Sequence, residues 1–234
     1  MDTFIGSHLF WLTMTIAVYL GSVWLFSKLH LGVLHPLIVS MVVLITLLKL
    51  TGVPYQTYKE STEMISFMLG PTVVSLGYVL YEQVEHIKEN ATSILVSTFV
   101  GSVVGVVSVI AILRLTGADQ AVVASMQPKS VTTPIAIQLA ERSGGIASLT
   151  SMAVVICGIF GAVAAPWLFR VFRISSPVAR GLAFGASAHG VGTAAAMKMG
   201  AVEGAISGLA IGIMGVMTTF AIPLVSVVMT YFGL

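Results

Sequence analysis

Charge is scarce in this sequence. Asp, Glu, Lys and Arg together make up 9% of its 234 residues, where a soluble globular domain carries about a quarter. That excludes an ordinary water-soluble fold. Cysteine is scarcer still: Cys157 stands alone, so no internal disulfide and no cysteine metal cluster can form. Inside its apolar run it reads as a small buried hydrophobe. No basic run exists, and a formal charge of +2 leaves no footprint for nucleic acid. No glycine-rich phosphate loop with its lysine is present, so nothing supports ATP coupling. No basic region precedes the first apolar stretch, so a cleaved signal peptide is not expected. The twelve methionines read as lipid-facing or core filler without a metal-binding arrangement, and no cofactor is expected.

What is present is apolar. The sequence is 57% hydrophobic with a mean hydropathy of +1.02, which identifies an all-α, multi-pass integral membrane protein. A span needs about 20 mostly apolar residues, and charged stretches mark the gaps. Spans are predicted from Gly6 to Ser27, Val33 to Leu50, Ala91 to Leu113, Ile146 to Phe169 and Val202 to Phe232. Thr51 to Thr62 reads as a polar loop and Glu82 to Asn90 as a charged one. Gly101 and Gly105 stand at GxxxG spacing and point to close helix packing. The same reading applies to Gly204, Gly208, Gly212 and Gly215 of the last span.

Three further elements are interrupted. Glu63 to Glu82 has Gly70 and Pro71 at its centre, a kink or break signal. Gln120 to Ala140 contains Pro128 and Pro134, each lacking a backbone donor and each disfavouring helix at the residue before it. Gly181 to Met197 contains Gly185, Gly190 and Gly192 with Ser187, His189 and Thr193, a poor continuous helix. The third and seventh elements match in position. We therefore predict a single transmembrane domain built from two four-element repeats, about 1–118 and 119–234, with broken or re-entrant helices at the centre. Interrupted segments at matching positions of two halves point to a transporter binding site. If all eight elements cross, Lys49, Lys59, Arg114, Arg170, Arg173 and Arg180 share a side, and the termini are cytoplasmic. If the third and seventh are hairpins, only six cross, each repeat has three crossings as inverted repeats require, and the termini fall opposite the most basic loop.

Lys129 is the only charge between Asp119 and Glu141. An ionisable residue in such a place is a functional-site candidate, against the simpler reading that it snorkels to the surface. Its neighbours Gln127, Ser130, Thr132 and Thr133 favour the site. No acidic residue falls inside a predicted span, which argues against a carboxylate sodium site, while sodium held by unwound carbonyls stays open. Glu82, Glu85 and Glu203 are expected to be solvated at span ends.

Three stretches carry a family resemblance: Leu69-Gly-Pro-Thr-Val-Val-Ser-Leu76, Pro128-Lys-Ser-Val-Thr-Thr-Pro-Ile-Ala136 and Ser187-Ala-His-Gly-Val-Gly-Thr-Ala194. In this order they resemble the LrgB/CidB family of bacterial membrane proteins over essentially the whole chain. The plastid glycolate/glycerate translocator carries a similar domain. The resemblance implies a bacterial inner (cytoplasmic) membrane location and a small LrgA/CidA-type membrane protein as partner. It implies either of two functions: transport of small carboxylates such as pyruvate, glycolate or glycerate, or holin/antiholin-like control of murein hydrolases and lysis.

The residues bear on that choice. A carboxylate inside a membrane needs positive potential and hydrogen-bond donors, and a broken helix offers both at its free N-terminus. Gly70, Gly190 and Gly192 would let backbone approach the ligand. Thr72, Ser187 and Thr193 would add hydroxyls beside Pro71 and the Gly70 break. Lys129 would supply full charge, with Gln127, Ser130, Thr132 and Thr133 around it. His189 would donate to substrate or couple transport to protons. Its simpler role is a packed ring bonded to a backbone carbonyl. Each small residue also has a packing role available in a membrane bundle. The three stretches are predicted to converge near the bilayer middle. Polar residues gathered in three motifs fit a localised carrier site better than the polar stripe a pore requires. Catalysis is not expected: Lys129 and Ser130 are adjacent and do not face each other on a helix, and a Ser187–His189 pair lacks an acidic orienter. A moving element past a fixed scaffold, with proton or sodium coupling and a homodimer or higher homo-oligomer, follows by analogy.

Overall fold

The structure is a computed structural model that describes residues 8–29, 34–68, 71, 74, 75, 78 and 81–231. Among the described residues every regular element is a helix. The chain forms two compact units, Met1–Ser75 and Leu76–Leu234.

The first unit holds α1 (His8–Leu29), α2 (Pro36–Thr51), α3 (Tyr55–Ser61) and α4 (Glu63–Phe67). Pro36 opens α2 at a position where its missing N–H is no loss. Gly52, at φ 67°, ends it in the left-handed conformation. Trp11 of α1 is buried and meets Tyr58 of α3 edge-on at 5.8 Å. The Ser40 hydroxyl of α2 donates to Ser22 of α1 at 3.1 Å. Part of the predicted Thr51–Thr62 loop is therefore helical: Pro54 stands extended as N-cap, and the Gln, Lys and Glu that follow it are good helix formers.

The second unit holds α5 (Val84–Glu89), α6 (Ala91–Leu115), α7 (Gln120–Met126), α8 (Thr133–Arg142), α9 (Ala147–Val171), α10 (Pro177–Met199) and α11 (Ala201–Tyr231). The predicted charged loop before Asn90 winds into α5 for the same propensity reason. Among the described residues four helices are long and apolar enough to cross a membrane: α1, α6, α9 and α11. At 16 residues α2 is shorter. The core of the unit is a set of helix interfaces. Val106 and Ile110 of α6 meet Val123, Leu139, Ala221, Ile222 and Val225. Phe169 of α9 meets Phe184 edge-on at 5.3 Å.

The break in α10 is a reversal. His189 has φ 40° and ψ −129° inside what is otherwise helix. On a straight helix, positions 181 and 197 would lie about 24 Å apart. Yet a side-chain carbon at Gly181 would meet Glu203 O and Ile206, and one at Gly204 would meet Met197. Both legs of α10 thus lie on the same turns of α11. Phe184 and Ala196, one from each leg, share a core cluster with Ala165 and Phe169. This is the shape of a re-entrant hairpin. Gly192 allows its legs to close, since a Cβ there would come within 2.5 Å of Phe184 O.

Three expectations are corrected. Among the described residues of this unit nothing lies within 4 Å of a Cβ built on Gly101, Gly105 or Gly212, so no described neighbour there packs closely on those glycines. Gly204 and Gly215 do, against Met197 and Ile135. Glu203 is only 7% exposed, because the single-residue link at Gly200 folds α10 straight back onto the start of α11. A Cβ at Gly200 would collide with its carboxylate.

Candidate functional site

The Ser125–Pro134 stretch breaks as its prolines dictate. α7 ends at Met126, a turn follows, and α8 starts at Thr133 with Pro134 in its first turn. The turn is anchored on α9: Val131, Ala136 and Val154 form one buried cluster. Ser125 accepts the Ile146 N–H at 2.7 Å.

The Lys129 side chain is half-buried and points to the middle of α9. Its Nζ donates to Ser130 Oγ at 3.2 Å and lies 3.9 Å from Cys157 Sγ. The thiol in turn donates to Ser187 O at 3.5 Å, in the last turn before the α10 reversal. Cys157 is about 16 Å of helix rise beyond the N-cap Ile146, half the thickness of a bilayer core. The α10 reversal arrives at the same level. His189 is buried, and its Nε2 donates to Val154 O at 3.1 Å. Gly158 makes room, because a Cβ there would sit 2.6 Å from His189 Cε1. Gly161 does the same for Ala188. Two helix breaks from different parts of the chain therefore meet at one point on α9.

The predicted site residues separate into distinct roles. Lys129 and Ser130 are together, with half-buried Thr132 and Thr133 at the start of α8. No side chain caps that N-terminus, which leaves its N–H groups and dipole for another acceptor. Gly190 is exposed, with open space where a Cβ would go, so the second leg of α10 also presents bare backbone at its start. Others are engaged in holding the fold. Ser187 Oγ donates to Ala183 O at 2.6 Å. Thr193 Oγ1 donates to His189 O at 3.0 Å and pairs with Ser207 Oγ at 2.8 Å. His189 is the packed, carbonyl-bonded ring of the simpler reading. Gln127 is buried and lines a different cleft, one that does not include Lys129. Pro71 is exposed and its carbonyl accepts from Ser75 Oγ at 3.0 Å. Gly70 and Thr72 lie outside the described residues, so convergence is seen for two of the three stretches.

The sequence reading missed Cys157 as a polar participant and Gly158 and Gly161 as the seats of the reversal. The signal for the glycines was their spacing on one face of the sixth span. For the cysteine there was none. Among the described residues no carboxylate pairs with Lys129, and no cluster of His, Cys, Asp and Glu is arranged for a metal ion. A cation near mid-helix, beside the uncapped start of α8, is chemically suited to an anion.

The LrgB-like family model matches residues 15–228 of this chain. The chain belongs to the LrgB-like family. Similar relatives include the uncharacterized protein YwbG of Bacillus subtilis, 34% identical over 91% of this chain and 94% of its own length. Antiholin-like protein LrgB of Bacillus mycoides and that of Bacillus cereus (strain B4264) are each 36% identical over 81% of this chain and 82% of their own. No solved structure matches it. The LrgB-like chain is thus a membrane protein with transmembrane helices, and neither the family nor these names carries an enzyme activity.

Proposed function

We propose that this LrgB-like protein is a secondary carrier for small monocarboxylates of the pyruvate, glycolate or glycerate class. The observation that carries the reading is the meeting of two helix breaks and the Lys129 amine at the midpoint of α9. In this reading the carboxylate pairs with Lys129 Nζ and takes further hydrogen bonds from Ser130, the first N–H groups of α8 and those after Gly190. Charge-assisted bonds to a desolvated carboxylate are about twice as strong as neutral ones. His189 holds the hairpin against α9. Alternating access moves α10 and the α7–α8 turn past the remaining spans. The repeats at about 1–118 and 119–234, their inverted relation, proton or sodium coupling, homo-oligomerisation, an inner-membrane location and a small LrgA/CidA-type partner belong to the same proposal.

The second reading is antiholin-like restraint of murein hydrolase export and lysis. The names of the antiholin-like relatives favour it, and they support it better than they support a carrier. The geometry favours the carrier. Purified protein in liposomes separates the two. Saturable uptake of labelled pyruvate, glycolate or glycerate that Lys129→Met loses supports the carrier. Equal leak of unrelated solutes, or none by a folded protein alone or beside its partner, supports the antiholin-like reading.

A further inference from the structure

Residues of α7, α8 and α11 flank an open cleft of about 500 Å³ whose lining does not include Lys129. Its polar lining includes Gln120, Gln127, Arg142, Ser143 and Thr219. Arg142 supplies the only formal charge among the lining residues. Glu141 precedes it on α8, and sequence neighbours on a helix point different ways. The lining is therefore cationic, with amide and hydroxyl groups beside the guanidinium. The volume falls in the range of small-molecule sites and is ample for a hydrated three-carbon acid.

The cleft also has direction. Gln120 opens α7 and Gln127 caps its end, so the two stand about 10 Å of helix rise apart. Gln120 and Arg142 are exposed, whereas Gln127 is only 6% exposed. No hydrogen bond ties the Gln127 side chain to another described residue, and it lines the cleft. Its amide atoms are not sealed in the interior, so they face the cleft as an accessible hydrogen-bonding group. Gln127 is two residues from Lys129, so the inner end of the cleft is the turn that carries the central cation. An exposed arginine at one end and a recessed amide at the other form a graded path for an anion.

We infer that this cleft is the first-contact site for the carboxylate, with Arg142 capturing the anion and Gln127 passing it toward Lys129. This rests on the carrier reading and adds a second binding position to it. Arg142 is suited to the task because its planar guanidinium engages a carboxylate through two parallel hydrogen bonds.

The test uses the full chain in liposomes and reads binding separately from transport. Ser143→Cys is introduced with Cys157→Ala, so the new thiol is the only one, and it is modified with a membrane-impermeant thiosulfonate. Pyruvate, but not chloride, is expected to slow that modification severalfold. Arg142→Gln is expected to abolish the protection and Arg142→Lys to keep part of it. In the native-cysteine background Arg142→Gln is expected to raise the uptake KM about fivefold at unchanged maximal rate, the scale of one accessible ion pair. Protection that is absent, or equal with and without Arg142, overturns the inference. Modification slowed by anionic lipid and indifferent to pyruvate also overturns it, and assigns the cleft to a lipid headgroup. Normal uptake without protection removes the cleft alone. Protection without any uptake removes the carrier reading and leaves a carboxylate-binding cleft.

Discussion

Replacing Gly158 with alanine places a methyl group 2.6 Å from His189 Cε1, where carbon atoms normally stop at 3.5–4.0 Å. The ring must retreat by roughly 1 Å. Its Nε2 starts 3.1 Å from Val154 O, so that retreat takes it beyond hydrogen-bond range. The buried ring nitrogen then goes unpaired, at about 1–3 kcal/mol, and overpacking adds about 1–3 kcal/mol. Against this, Gly→Ala inside a helix returns about 1 kcal/mol. The single variant should lose about 1–5 kcal/mol of stability. With His189→Ala already present the obstacle is gone, and Gly158→Ala should be neutral or stabilising by up to about 1 kcal/mol. The assay is a double-mutant cycle on unfolding free energies in mixed micelles. A Gly158→Ala cost that is the same in both backgrounds refutes the reasoning that α9 seats the reversal through this ring.

Other substitutions probe the remaining contacts. His189 holds φ 40°, a conformation glycine adopts freely and other residues only under strain worth about 1–3 kcal/mol; His189→Gly should therefore unfold later than His189→Ala in the same melts. A Cβ at Gly185 would drive into Ser207 O and come 2.7 Å from Ala210, so Gly185→Ala should cost about 1–3 kcal/mol or the folded yield. Gly212→Ala, facing open space, should change stability by less than about 1 kcal/mol; equal effects of the two would contradict the α10–α11 packing. Thr193→Val removes a buried hydroxyl pair with Ser207 and should destabilise by about 1–3 kcal/mol, relieved in the Thr193→Val/Ser207→Ala double variant.

Much of this was legible in the sequence because a bilayer leaves few options. Apolar length marks the spans, and prolines and glycines mark where a helix cannot continue. Pro128 and Pro134 fix a break whose tertiary surroundings hardly matter. The Gly190–Gly192 pair announced a second one, and Lys129 stood out by being charged. Side-chain roles were less legible, since they depend on what packs opposite. His189 looks the same in sequence whether it meets a substrate or the Val154 carbonyl. Thr193 and Ser187 offered hydroxyls that neighbouring helix atoms already occupy. Glu203 looked solvated because nothing in its neighbourhood announces that Gly200 folds one helix straight back on the next. Cys157 gave no signal, since a thiol between a lysine and a carbonyl is indistinguishable in sequence from one among valines. Of the stretch around Gly70 only Pro71, Val74 and Ser75 are described, and its part in the site stands as proposed.

Cys157 also supplies the most direct test. It is the only thiol in the chain and lies 3.9 Å from the Lys129 amine, so its alkylation reports on occupancy of the central position with no engineered residue. The rate of alkylation by a small maleimide would be measured in liposomes at rising pyruvate, glycolate and glycerate, for the native chain and for Lys129→Met. A central carboxylate site predicts saturable protection in the native chain and none in the lysine variant. Alkylation at one rate under every condition would contradict it.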